Sequence, residues 1–305
     1  MSLRLRQWTA ALLQEHGLEP LKSLGQHFLV DEGVARDIVA AAEIGPGGRV
    51  LEIGPGTGAL TELLAEQAGL RPPKTGPKPP KAGRVVAVEV DRGLAAAMAD
   101  DAQRWGVELL HADFLDLDLA ELCAEGDWIV VGNLPYYITT PILERLCEHA
   151  RCWRLVVVTV QQEVAERLLA QPGGKDYGAL TLFVRYHAAV EVVRRVPPQA
   201  FYPSPGVGSV VLRLRLTGPT VEAEREAFLA VTRGSLAQRR KTVLNSLVGS
   251  GRVGLDRELV RAALAEAGIE PSRRGETLSL EEFAALARAL AAKQGDQRPP
   301  GGAGR

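Results

Sequence analysis

Val50-Leu51-Glu52-Ile53-Gly54-Pro55-Gly56-Thr57-Gly58 reads as a strand running into a tight turn, with a helix-like segment, 59–68, behind it. Three glycines at alternate positions let the backbone turn sharply and approach a ligand closely, since no Cβ intervenes. The first turn of the following helix offers unpaired backbone amides to a polar group. Alone, the pattern is either a nucleotide site or a plain tight turn. The rest of the chain decides between them.

Outward from this turn, strands and helices alternate. Strand-like runs occupy 49–53, 84–89, 107–111, 127–132 and 154–160, with helical segments at 58–68, 93–104 and 140–149. That order predicts an α/β fold, a mostly parallel doubly wound sheet with helices on both faces. Two further β-rich runs, 189–196 and 209–216, suit an antiparallel pair at the sheet edge. Upstream, 1–20 has Leu5, Trp8, Leu12 and Leu13 at helical spacing with Gly17 as a stop, and a second helix spans 32–43. Beyond Thr217-Gly218-Pro219 the pattern is helical only. The expected domains are an N-terminal arm and covering segment (1–45), a catalytic domain (46–218), a small all-helical domain (219–293) and a disordered tail (294–305). Residues 71–83 form a proline-rich insertion that carries Arg71, Lys74, Lys78 and Lys81 and no acid. It is read as a solvated loop, with a basic arm for RNA as the alternative.

With 46% hydrophobic and 24% charged residues, the 305-residue chain has the composition of a soluble globular protein. No apolar run approaches the roughly eighteen residues of a membrane span, and the N-terminus lacks a signal-peptide core. The three cysteines, Cys123, Cys147 and Cys152, lack a Cys-x-x-Cys pair, so neither a metal site nor a disulfide is expected. Reduced thiols in a cytoplasm fit best. The net charge is -1, yet 233–274 holds nine basic residues against four acidic ones. Such a cluster, with Arg239, Arg240 and Lys241 at its centre, is either a solvated face or a contact for a phosphate backbone.

Ligands of a doubly wound sheet sit outside the carboxyl ends of its strands. The second strand ends at Glu89, a carboxylate that either accepts both hydroxyls of a ribose or serves as an acid at the N-terminus of the next helix. Glu89 lies 31 positions after Gly58, and 18 once the 13-residue insertion is discounted, near the roughly 20 expected. The third strand ends His111-Ala112-Asp113, an acid that either accepts an adenine amine or caps a turn. The fourth ends Asn133-Leu134-Pro135-Tyr136. There an amide oxygen and a backbone carbonyl can hold the two hydrogens of an aromatic amine. Proline stiffens the turn, and the tyrosine offers a flat face to an unstacked base.

Together these residues resemble the S-adenosylmethionine-dependent amino-methyltransferases. Leu24-Gly25-Gln26-His27-Phe28-Leu29-Val30-Asp31 and Phe201-Tyr202-Pro203-Ser204-Pro205-Gly206-Val207-Gly208-Ser209 narrow the resemblance to the ribosomal RNA adenine dimethyltransferases of the KsgA type. The segments 161–167, 239–245 and 275–279 match as well, so the likeness covers roughly 20–290. It implies S-adenosyl-L-methionine as cofactor, held by His27, Leu29, Gly54, Gly56, Gly58, Glu89, Asp113 and Asn133. Several members carry asparagine where this chain has His27. The catalytic group would be Asn133, Leu134, Tyr136 and Phe201, the two rings stacking on opposite faces of a flipped adenine, with a core aromatic at a strand edge as the alternative for Phe201. Arg239, Arg240 and Lys241 would bind RNA, and no metal is implied. The implied substrate is small-subunit ribosomal RNA within an assembling 30S-type particle, acted on by a cytoplasmic monomer. A large-subunit enzyme of the macrolide-resistance kind and a non-catalytic assembly factor are the rival readings.

Overall fold

The computed structural model describes residues 3–21, 24–70 and 83–297. All of the proline-rich insertion except Gly83, and the tail from 298, lie outside the described residues. The chain forms two compact units, Met1–Ala165 with Ala189–Thr217, and Glu166–Ala188 with Gly218–Arg305.

In the first unit the elements run α1 (Leu3–Glu15), β1 (Phe28–Leu29), α2 (Glu32–Ala41), β2 (Arg49–Ile53), α3 (Thr61–Gln67), β3 (Arg84–Glu89), α4 (Arg92–Trp105), β4 (Glu108–His111), α5 (Ala120–Glu125), β5 (Trp128–Asn133), α6 (Thr139–Glu148) and β6 (Trp153–Gln161). After α7 (Gln162–Leu169) and α8 (Ala179–His187) come β7 (Ala188–Val196), β8 (Phe201–Tyr202) and β9 (Ser209–Leu216). Seven strands form one sheet in the order β4-β3-β2-β5-β6-β9-β7. β2 lies parallel between β3 and β5, with Ile53 opposite both Val88 and Gly132. Valine-rich runs suit this place because a sheet covered on both faces leaves no side for polar residues. Val50, Leu51, Val130, Leu155 and Val157 are all fully buried. The two late β-rich runs are neighbours, with β9 inside and antiparallel to β6 and β7 at the edge.

Local capping sets where the helices begin. Asp31 Oδ1 accepts from Gly33 N and Val34 N at the start of α2. Asp91 does the same for α4 through Gly93 N and Leu94 N. The expected helix at 58–68 starts later, at Thr61, because the glycine turn continues through Leu60. The N-terminal segment belongs to the first unit. Thr9 Oγ1 meets Thr57 Oγ1 at 2.9 Å and Trp8 Nε1 donates to Thr57 O at 2.8 Å, tying α1 to the glycine turn. A second, two-stranded sheet pairs β1 with β8, Phe28 opposite Tyr202 and Leu29 opposite Phe201. Strands this short leave no periodicity to read.

The second unit packs α8 with α9 (Arg225–Leu236), α10 (Val243–Ser250), α11 (Arg257–Glu266) and α12 (Leu280–Gln297). Residues 166–188, assigned by sequence to the catalytic domain, cluster here instead. The reason lies in their aromatic side chains. Tyr186 stacks on Phe228 with ring centroids 4.6 Å apart, and Tyr177 donates to Leu278 O at 2.8 Å. The tail expected from 294 remains helical through Gln297.

One expectation is overturned. Cys123, on α5, and Cys152, in the turn before β6, form a disulfide, with Cα atoms 4.4 Å apart. Their 29-residue separation gave no hint of it, since packing of α5 against 150–152 makes the pair. Cys147 is buried outside the bridge. A cross-link closing a loop of this size stabilises by about 3 kcal/mol. Reductant is therefore expected to lower the melting temperature of the wild type while leaving that of Cys152→Ser unchanged.

Candidate active site

Parallel pairing brings the strand ends side by side, and a cleft opens over them. His27, Gly54, Gly56, Glu89, Asp113, Asn133, Leu134 and Tyr136 all line it.

The glycine turn and the second strand end are joined through one carboxylate. Glu89, 5% exposed, accepts from Gly56 N at 3.0 Å and from Asp91 N at 2.9 Å. Burial raises its pKa against these two hydrogen bonds. Gly54 and Gly56 take left-handed φ angles of 69° and 56°. A Cβ on Gly56 would come within 3.1 Å of the Phe28 ring, so both backbone angle and close approach require glycine there. Asp113 Oδ1 caps the next turn through Leu115 N at 2.8 Å, while the residue still lines the cleft.

Asn133 Nδ2 donates to the backbone carbonyl of His27 at 2.9 Å, which commits the amide nitrogen and leaves Oδ1 as its acceptor. Pro135 O is taken by Thr139 Oγ1 and Ile138 N, whereas Leu134 is held by its N–H on Thr159 O at 3.1 Å. Tyr136 OH meets Ser209 Oγ at 2.8 Å. Its pKa is raised by burial.

Three sequence-derived residues do not reach the cleft. Phe201 is 1% exposed within the apolar core, and the neighbouring Tyr202 is the exposed ring. The alternation of an extended strand turns one ring in and the other out, so Phe201 offers no face to a base in this conformation. Gly58 has φ 82° and faces Met98 and Trp105, where a Cβ would lie 2.6 Å from Met98 Cε. Its task is packing. Leu29 borders a smaller space at the turn, together with Glu52, Gly54, Gly56 and Asn133. Sequence reasoning missed three residues at the cleft. Tyr137, 52% exposed, lines it, Ser209 holds Tyr136, and Gln26 bridges Leu21 N and Asp91 Oδ2. Gln26 and Ser209 lay inside quoted motifs, but nothing in them named a partner.

A larger groove is lined by residues of α1–α4 together with Gly58 and Ala59. Several of its charges are already paired, Glu32 with Arg36 and Asp101 with Arg104. In the second unit Arg239, Arg240 and Lys241 are exposed on the turn between α9 and α10. Arg239 pairs with Glu276 at 2.8 Å, and a bridge from Thr242 to Arg274 adds a fourth cation to that turn. Among the described residues no cluster of three or more His, Cys, Asp or Glu could hold a metal. Nor is any described helix long and apolar enough to cross a membrane.

The model of the family described as "Ribosomal RNA adenine dimethylase" matches residues 19–290. The chain belongs to this family. It is 48% identical over 294 residues to "Ribosomal RNA small subunit methyltransferase A" of Moorella thermoacetica, covering 92% of this chain and 96% of that protein. The protein of the same name from Geobacillus thermodenitrificans is 44% identical, covering 92% and 94%. Among solved structures, a dimethyladenosine transferase from Plasmodium falciparum superposes with TM-score 0.70 at 22% identity, covering 88% of this chain and 98% of that one. The 23S rRNA methyltransferase ErmE gives TM-score 0.64 at 26% identity, covering 87% and 99%. Members of the ribosomal RNA adenine dimethylase family use S-adenosyl-L-methionine. The donor set fits that cofactor: two left-handed glycines for close approach, a buried acid at the second strand end and a half-buried one at the third.

Glu52, beneath the turn, is 1% exposed, and its Oε2 has no hydrogen-bond partner. Burial pushes its pKa from 4.5 up to about 8, with the charge of Glu89 adding to the effect. The folded protein therefore keeps a proton that the unfolded chain releases. The associated stability is complete below pH 4.5 and is lost as pH rises towards about 8. Thermal melts from pH 5 to 9 should show Glu52→Gln more stable than wild type at high pH by on the order of a few kcal/mol, with the gap closing near pH 5.

Proposed function

We propose that the protein dimethylates the exocyclic amines of two adjacent adenosines in a loop of small-subunit ribosomal RNA during ribosome assembly. It would act as a cytoplasmic monomer on an assembling 30S-type particle. The observation that carries this reading is the committed amide of Asn133, whose Nδ2 is held by His27 O at 2.9 Å. S-adenosyl-L-methionine, when bound, supplies a sulfonium methyl electrophilic enough that no covalent enzyme intermediate is needed. Glu89 would take the ribose hydroxyls and Asp113 the adenine amine of that cofactor, with Gly54, Gly56 and the backbone at His27 shaping its seat.

An adenine amine is a poor nucleophile because its lone pair is delocalised into the ring. Asn133 Oδ1 and the Leu134 carbonyl would accept its two hydrogens and favour a pyramidal nitrogen. Tyr136 would stack on the extruded base, whose removal from a loop costs a few kcal/mol. Holding amine and methyl in line supplies much of the acceleration. The proton then leaves to water.

The large-subunit reading shares this chemistry. The 48% identity to a small-subunit enzyme, against 26% to ErmE, favours the small subunit. Against an inert assembly factor stands the intact Asn-Leu-Pro-Tyr at the strand end.

With labelled S-adenosylmethionine and immature small subunits, mass mapping is expected to find dimethyladenosine at two adjacent positions. Label confined to large-subunit RNA would sink this substrate. Asn133→Ala should lower turnover by at least about 100-fold while RNA binding persists. The exposed turn after α9 is assigned to the phosphate backbone. Replacing Arg240 and Lys241 with alanine should weaken RNA binding and make the slope of log K against log salt shallower by about one to two.

A further inference from the structure

Asn133 and Tyr136 can serve a target adenine only if their side chains are held at fixed angles. An amide that rotates presents a donor where an acceptor is needed. Both side chains, and the loop bearing Pro203, meet at one residue, His27. Its backbone carbonyl takes Asn133 Nδ2 at 2.9 Å. Its ring stacks on Tyr136, centroids 5.3 Å apart and planes inclined by 30°. Its Nδ1 lies 2.7 Å from the carbonyl oxygen of Pro203. A carbonyl oxygen only accepts, so Nδ1 carries the hydrogen and the neutral ring is the Nδ1–H tautomer.

These contacts form a chain of constraint. Pro203 O sets the ring angle of His27, and that ring backs one face of Tyr136. The far end of Tyr136 is fixed by Ser209, which is 2% exposed and at the start of β9. The strap that carries His27 is anchored one residue earlier. Gln26 Oε1 accepts from Leu21 N at 2.8 Å, and its Nε2 donates to Asp91 Oδ2 at 2.9 Å. Antiparallel pairing of Phe28 with Tyr202 then ties the strap to the Pro203 loop on its other side.

We propose that His27 is a positioning residue for methyl transfer, fixing the Asn133 amide and the Tyr136 ring plane through its hydrogen bond to Pro203. The inference rests on the reading of Asn133 and Tyr136 as the groups that hold the target adenine. What position 27 then requires is a planar group with a donor two bonds from Cβ. Histidine offers Nδ1 there. Asparagine offers Nδ2 at the same distance, whereas leucine fills the space without a donor.

Steady-state kinetics of the full chain separate the possibilities. With His27→Leu, kcat should fall about tenfold or more while KM for S-adenosylmethionine changes by less than about threefold. His27→Asn should restore kcat to within about threefold of wild type. A raised cofactor KM at unchanged kcat, or no rescue by asparagine, overturns the proposal. Should His27→Leu not fold, a kcat for His27→Asn more than about tenfold below wild type overturns it by itself. A second readout needs no RNA. The chain has two asparagines, Asn133 and Asn245, so labelling asparagine side-chain nitrogen gives two assignable amide pairs, with a third only in His27→Asn. The Asn133 pair should exchange slowly in the wild type and in His27→Asn, and rapidly in His27→Leu. Inactive wild type on small-subunit RNA would count against the proposed substrate, whereas an Asn133 signal unmoved by His27→Leu would count against the positioning role.

Discussion

The site depends on the parallel register of β2 with its two neighbours. With Ile53 opposite Val88 and Gly132, the chain leaves β2, β3 and β5 at nearly one level. Each exit then delivers one element of the cleft: a glycine turn, Glu89 and Asn133. In a parallel ladder every residue is hydrogen-bonded to fixed partners, so a slip of one position would reverse the face of each side chain. Gly132 makes the close passage possible, since a Cβ there would sit 2.8 Å from Ile53 O.

Upon this frame the polar groups are held mainly by backbone. Glu89 takes Gly56 N and Asp91 N, and Asn133 gives Nδ2 to His27 O. Backbone partners come with the fold and cannot rotate away, so the side chains they hold are preorganised before any ligand arrives. The cost is buried acid. Glu52 and Glu89 both have raised pKa values because burial disfavours their charge, and they sit next to the turn where a cationic cofactor belongs.

Much of the cleft was legible because its residues follow from local rules. Alternating strands and helices placed Glu89, Asp113 and Asn133 at strand ends, and a strand end is where a doubly wound sheet binds ligands. What escaped was set by partners distant in sequence. The bridge between Cys123 and Cys152 needs α5 against the turn before β6. The pairing of β1 with β8 joins positions more than 170 residues apart and buries Phe201. Residues 166–188 follow a catalytic-domain pattern in sequence but give their aromatic rings to the helical core.

The sequence by itself determined the class of chemistry. Residue types at strand ends carry donors, acceptors and flat faces whatever their exact poses, and those types match an adenine methyltransferase. Tertiary structure alone decided which atoms are committed. Whether Asn133 turns its oxygen or its nitrogen to the cleft depends on His27 O, 106 positions away, and the glycine turn divides by the same logic. Gly54 and Gly56 face the cleft while Gly58 packs on Met98 and Trp105, because direction is a property of the folded backbone and not of the residue.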